Sequence, residues 1–307
     1  MDIAANLPIF VITLREGVEA ALVVGIVLAC LHQAGQRQFY PWVYQGIGGG
    51  IVASVLVGFL LAGIFQGVET YESPYTPVLK SVLATLFTAM AVVMLTWMLL
   101  WMTQQAKSLK RDLEGEIHQA LNQGDDVGRS VFLVVFIAVL REGFETVLFV
   151  VSQFQKGDQN PFWGLGFGLG SAFLIGYLFF NLGVKINLKQ FFQIMGGLIL
   201  LILGGLVIGM GQEIEKAMQL LLHLDPAYQQ FCIVPGESCL LGNLVWDGSS
   251  LLPDRQFPGI LLKALFGYRE KLYTVQIIGY ILFMVVIGSW YFGLGRSRLT
   301  PPSKEPA

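Results

Sequence analysis

Leu14–Val27 reads "LREGVEAALVVGIV", an apolar run with Arg15, Glu16 and Glu19 set inside it. The same sentence is written a second time at Leu140–Val151, "LREGFETVLFVV", with Arg141, Glu142 and Glu145 in the matching places. An ionisable side chain at the centre of a lipid-embedded helix costs roughly 2.5–3.5 kcal/mol on insertion scales. A chain that accepts this cost six times has a use for the charges, and its repetition divides the sequence into two related halves.

The surroundings of both motifs are those of a membrane protein. Of 307 residues 54% are hydrophobic and only 13% charged, and mean hydropathy is +0.64; soluble domains carry about twice that share of charge. Runs near 20 apolar residues are long enough to span hydrocarbon. Seven are expected, at about 8–31, 43–66, 78–102, 131–153, 162–183, 191–211 and 273–293. Thirty-six glycines suit close helix packing in lipid. The opening "MDIAANLP" lacks a basic segment ahead of its apolar run, so the first helix is expected to be kept rather than cleaved as a signal peptide. A net charge of −2 gives no reason to expect a nucleic-acid partner.

Basic residues orient the chain. Ten Lys and Arg (Arg37, Lys107, Lys110, Arg111, Arg129, Lys185, Lys189, Arg296, Arg298 and Lys304) fall on one set of connections. The other set holds Lys80, Lys156 and five more within a long loop at 212–272, which the rule discounts. The N-terminus is therefore expected outside and the C-terminus inside, as an odd number of spans requires.

The repeat extends beyond the motifs. "QGIGGGIVASVLVG" from Gln45 aligns with "WGLGFGLGSAFLIG" from Trp163, so that Gly46, Gly48, Gly50 and Gly58 fall on Gly164, Gly166, Gly168 and Gly176. A fainter third pair sets "LKS" at Leu79 against "LKQ" at Leu188. The expected fold is an all-α integral membrane domain: repeat one at about 8–102, repeat two at about 131–211, the outside loop 212–272 and a seventh helix at about 273–293. Three helices per repeat is an odd number, so the second half enters the membrane inverted. Inverted repeats are a recurring plan of secondary transporters, with the substrate near the midplane between them. Arg15 lies roughly 10 Å along its helix from Pro8, and Arg141 about 15 Å from Ser130, which takes both motifs to mid-depth.

Spacing then gives chemistry. Glu16 and Glu19 are three residues apart and share a helix face, and Arg15 can pair with Glu19 four residues on. The same relations hold for Glu142, Glu145 and Arg141. Simple interhelical salt bridges would need one carboxylate per arginine. Four carboxylates against two arginines instead suit a cation site with surplus negative charge. Carboxylate oxygens are hard ligands, favouring Mg, Ca, Mn or ferric iron over copper(I). Gly17 and Gly143 are expected to let the two motif helices approach one another. A membrane metalloenzyme is the rival reading, but no general acid–base partner stands beside the motifs. A structural subunit with locked charges is a third. No enzyme activity and no bound cofactor are expected.

Smaller features complete the reading. Cys232 and Cys239 in "CIVPGESC" flank a Pro-Gly turn on the outer side, where a disulfide can form. Glu69 and Glu72 lie near the outer surface, either as an acidic approach or as an ordinary polar loop. "AKSLKRDLEGEIHQAL" spaces Leu109, Leu113, Ile117 and Leu121 four apart, an amphipathic helix on the inner side. His32, His118 and His223 are isolated, and none is expected as a ligand.

Paired REGxE motifs in the first and fourth of seven membrane helices resemble the oxidase-dependent iron permeases, the family of the fungal ferric permease and the bacterial EfeU-type permeases. "GMGQEIEKA" at Gly209 and "LLKALFGY" at Leu261 extend the likeness over nearly the whole chain. The resemblance implies import of iron, as Fe(III), across a plasma membrane such as a bacterial inner membrane. It implies Glu16, Glu19, Glu142 and Glu145 as iron ligands, Arg15 and Arg141 as their supports, and Glu213 as a further ligand at the outer mouth. It also implies a separate extracytoplasmic protein that oxidises or delivers iron. A lead-transporting branch shares the motif, so lead is the alternative cargo.

Overall fold

The computed structural model describes residues 3–69, 73–105, 127–154, 162–182, 188–232, 238–249, 252–253 and 256–293. The segment 106–121, expected on the inner side, and Glu72 lie outside them, as do most of the basic residues on which the expected orientation rests.

Eight α-helices are found among the described residues: α1 Ile3–Gln33, α2 Tyr40–Glu69, α3 Thr76–Gln105, α4 Val127–Phe154, α5 Phe162–Leu182, α6 Leu188–Leu224, α7 Gly259–Phe266 and α8 Thr274–Tyr291. Five of them, α2, α3, α5, α6 and α8, are long and apolar enough to cross a membrane. With 31 and 28 residues, α1 and α4 have the length as well. Each, however, carries the three ionisable residues of its motif inside the apolar run. The outward faces of the apolar helices bear large hydrophobic side chains, among them Phe59 on α2, Trp97 on α3, Phe173 on α5 and Leu282 on α8. Water would leave such a belt unsatisfied; hydrocarbon does not.

Packing is interleaved between the first three long helices and the next three. The most extensive interfaces are α2 on α4 and α1 on α5, followed by α3 on α6 and then α1 on α4. Glycines set the closest crossings. A Cβ added to Gly46 would stand 2.9 Å from the Phe132 carbonyl, and one on Gly50 2.8 Å from Val139 Cβ, both on α4. In the other half, Gly164 and Gly168 meet Asn6 and Thr13 of α1, at 2.6 and 2.8 Å. Gly58 and Gly176 repeat the pairing against Val147 and Ala21. Gly48 and Gly166 have nothing within 4 Å, so only three glycines of each aligned row make the contact.

Apolar clusters enclose the motif level on both sides. Ile9 and Ile12 of α1 pack with Val92 and Leu95 of α3, Phe149 of α4, and Ile199 and Leu203 of α6. Val27 and Leu31 of α1 pack with Val43 of α2 and with Val131, Val135 and Val139 of α4.

The segment past residue 211 is more ordered than a loop. α6 continues to Leu224 because "GQEIEKAMQLLLHL" ends the unbroken apolar run without ending the helix: its charges are compatible with helix, and no proline appears until Pro226. Beyond it, Cys232 and Cys239 are joined by a disulfide. Glu215, buried in α6, accepts hydrogen bonds from the Cys239 and Leu240 amides at 2.6 and 2.8 Å. Strands β1 Leu244–Asp247 and β2 Lys271–Tyr273 pair antiparallel, with Asp247 opposite Lys271. Between them α7 packs on α1 and α6. Gly267 closes α7 with φ 67°, and a Cβ on Gly205 of α6 would come 2.6 Å from its Cα, so neither position accepts a side chain.

Candidate metal site

Where α1 meets α4, the two charged motifs face one another. Glu16, Glu19 and Glu142 each offer a carboxylate oxygen, and the three oxygens lie within 4.8 Å of one another. Two elements thus converge on one volume, with oxygens close enough for a single cation at ordinary oxygen–metal distances of ~2–2.6 Å. The fourth motif glutamate, Glu145, is buried beside them and ion-paired to Arg141.

These are dry positions. Glu16 is 1% exposed and Glu145 3%, and the Glu19 side chain 11%. In all four glutamates one buried carboxylate oxygen has no hydrogen-bond partner: Oε2 in Glu16, Glu142 and Glu145, and Oε1 in Glu19. Glu19 Oε1 stands 3.0 Å from Arg15 Nε as an ion pair without hydrogen-bond alignment. Buried carboxylate oxygens are ordinarily satisfied, because leaving one bare forfeits its hydration without return. Four such acceptors on two facing helices have the chemistry of hard oxygen donors, the kind that hard cations take.

The two arginines differ. Arg15 is fully enclosed: Nη1 donates to Glu16 Oε1 at 2.9 Å and to Met98 Sδ of α3 at 3.0 Å. The Arg141 side chain is 42% exposed, bonds Glu145 Oε1 through Nε at 3.3 Å, and lies over the Trp101 ring with Cζ 4.8 Å from its centroid.

Gly17 and Gly143 act otherwise than expected. A Cβ on Gly17 would come 2.6 Å from Ala172 Cβ on α5, and one on Gly143 would collide with Ser54 on α2. Residues adjacent in a helix point about 100° apart. These glycines therefore seat α1 on α5 and α4 on α2, while the glutamates beside them turn toward each other.

Glu213 is half-buried in α6 and is not among the three carboxylates that meet. Glu215, two residues on, is bonded to the Cys239 and Leu240 amides, and Glu69 is the last residue of α2. Sequence reasoning missed what α3 contributes. Met98 and Trp101 carry no charge and sit in an apolar run, so nothing marked them. Thr13 did carry a signal: it lies three residues before Glu16 on the same face and is 1% exposed, and its hydroxyl has no partner.

The family described as "Iron permease FTR1 family" matches residues 6–292. A protein of Synechocystis named only as uncharacterized, slr0964, is 53% identical over 292 residues, covering 95% of this chain and 94% of that one. The ferrous iron permease EfeU of Shigella flexneri is 28% identical over 155 residues, 50% of this chain and 58% of its own length. EfeU of Escherichia coli O157:H7 is 29% identical over the same share of this chain and 49% of its own. The match thus spans about half the length of these EfeU proteins. No solved structure matches the chain.

Proposed function

The chain belongs to the iron permease FTR1 family, and on that premise we propose that it imports iron across a plasma membrane, a bacterial inner membrane, through a carboxylate site shared by its two REGxE motifs. Glu16, Glu19, Glu142 and Glu145 bind the ion in passage, and Arg15 and Arg141 hold the carboxylates in place. The observation that carries the reading is the meeting of Glu16, Glu19 and Glu142 oxygens within 4.8 Å, each residue with a buried oxygen lacking a partner.

All seven long helices span the membrane, with α1–α3 and α4–α6 as inverted repeats and α8 added. The mirrored glycine crossings support the repeats: the contacts of Gly46, Gly50 and Gly58 on α4 are matched by those of Gly164, Gly168 and Gly176 on α1. In this arrangement one half rocks against the other around the site. A separate extracytoplasmic protein presents the iron, and Glu213 belongs to the outer approach.

Hard oxygen ligands favour Fe(III) as the ion at the site. The second reading is Fe(II), favoured by the EfeU relatives, which are named ferrous iron permeases. Uptake of radioactive iron into proteoliposomes, with Fe(II), Fe(III) and Pb(II) compared under controlled redox conditions, decides between them. Uptake of none of the three, by protein that is folded and correctly inserted, would overturn the proposal.

A further inference from the structure

α3 carries no motif residue, yet it touches both motif arginines from positions one turn apart. Met98 receives Arg15 in the interior, while Trp101 receives Arg141 at the exposed rim. The geometry points to Trp101 as a positioning residue for iron binding, one that parks the Arg141 guanidinium beside the site instead of across it. This inference rests on the carboxylate-site reading above.

The argument is one of competition. Arg141 bonds Glu145 through Nε and one oxygen, Oε1, while Glu145 Oε2 is buried without a partner. A guanidinium prefers to engage both oxygens of a carboxylate in a fork, and the side chain is 42% exposed, with room to turn. If it turned, it would cover the oxygen a cation needs and place a positive charge in the cation's way. The Trp101 face stabilises the alternative. A cation–π contact shifts such an equilibrium by roughly twofold when exposed to roughly thirtyfold when desolvated, enough to keep the guanidinium parked most of the time. Arg15 needs no such device: its nitrogens are already divided between Glu16, Glu19 and Met98. Trp101 therefore governs the apparent affinity for iron without touching the ion.

The test measures equilibrium binding of radioactive iron, as Fe(III) held soluble by a weak chelator and as Fe(II) kept reduced under anoxia, to the purified full-length protein in detergent, and follows whichever ion the wild type binds. Trp101→Leu should weaken binding up to about fivefold, the fold-change equivalent to ~1 kcal/mol, and Trp101→Phe should stay within about twofold of wild type because it keeps an aromatic face. In an Arg141→Gln background, which has no cation to park, Trp101→Leu should change nothing further. Trp101→Met serves as a second non-aromatic variant should the leucine protein fail to fold. Unchanged affinity in the folded non-aromatic variants, or an equal loss with and without Arg141, overturns this inference. Glu16→Gln separates it from its premise: if that variant also binds iron normally, the carboxylate site itself falls.

Discussion

Glutamine in place of Glu16 or Glu142 keeps the shape of the side chain and removes its charge. Each carboxylate has a buried oxygen without a partner, so folding should tolerate the change better than ion binding does. Glu142→Gln should reach the membrane at near wild-type levels and Glu16→Gln, which weakens the buried pair with Arg15, at a lower level; both should lose most iron uptake per folded molecule in proteoliposomes, and normal uptake would refute the ligand assignment. The arginines should separate by burial. Arg15 is 2% exposed and faces two carboxylates. Removing one partner of a buried pair strands the other, at roughly 3–5 kcal/mol. Arg15→Gln should therefore cut folded yield and thermal midpoint sharply, and Arg15→Lys should not restore them fully, since an ammonium cannot serve divergent acceptors as a planar fork does. Arg141→Gln, at an exposed rim, should fold nearly as wild type. Equal thermal midpoints for the two glutamine variants would contradict this asymmetry.

At the scale of the helix, the crossings decide where the carboxylates end up. Gly168 of α5 sits against Thr13 and the Phe10 carbonyl of α1, so valine there must push the two helices apart. Gly166, two residues away with nothing within 4 Å, should accept valine. Gly168→Val should lose both folded yield and iron uptake while Gly166→Val retains both. Similar uptake by the two would mean that the crossing does not set the site. The glycine row was legible in the sequence, but its division into contact and open positions was not, because that depends on which face of α5 meets α1. The helices themselves were legible, since runs near 20 apolar residues leave few alternatives, and the motif pair named the charged residues. Met98, Trp101 and the serine–glycine contact of Ser54 with Gly143 were hidden because apolar and small residues look alike until a partner is known. The end of α6 was misplaced for a different reason: charge at Glu213, Glu215 and Lys216 marks the end of a hydrophobic run, not the end of a helix. The Cys232–Cys239 pairing was open in the sequence because cysteine spacing does not determine whether two thiols meet.

For the whole molecule, the inverted-repeat proposal makes a claim about sides. Gln38, exposed in the turn between α1 and α2, and Ser249, exposed after β1, are separated along the chain by α2 through α6. If all five of those helices cross, the two positions lie on opposite faces of the membrane, Gln38 inside and Ser249 outside. Single reporters, Gln38→Cys and Ser249→Cys, can be read in a Cys30→Ala background, because Cys232 and Cys239 are consumed by their disulfide and Cys30 is the third and last cysteine of the sequence. A membrane-impermeant maleimide added to intact cells should label the Ser249 reporter at once and the Gln38 reporter only after the membrane is opened. The opposite pattern would reverse the orientation while keeping the repeats. Labelling of both from one side would mean an even number of crossings between them, which two inverted three-helix repeats do not allow. The motifs would still meet, but a site reached alternately from either face by the rocking of two inverted halves would have no structural basis, and passage would have to occur through a path with fixed access.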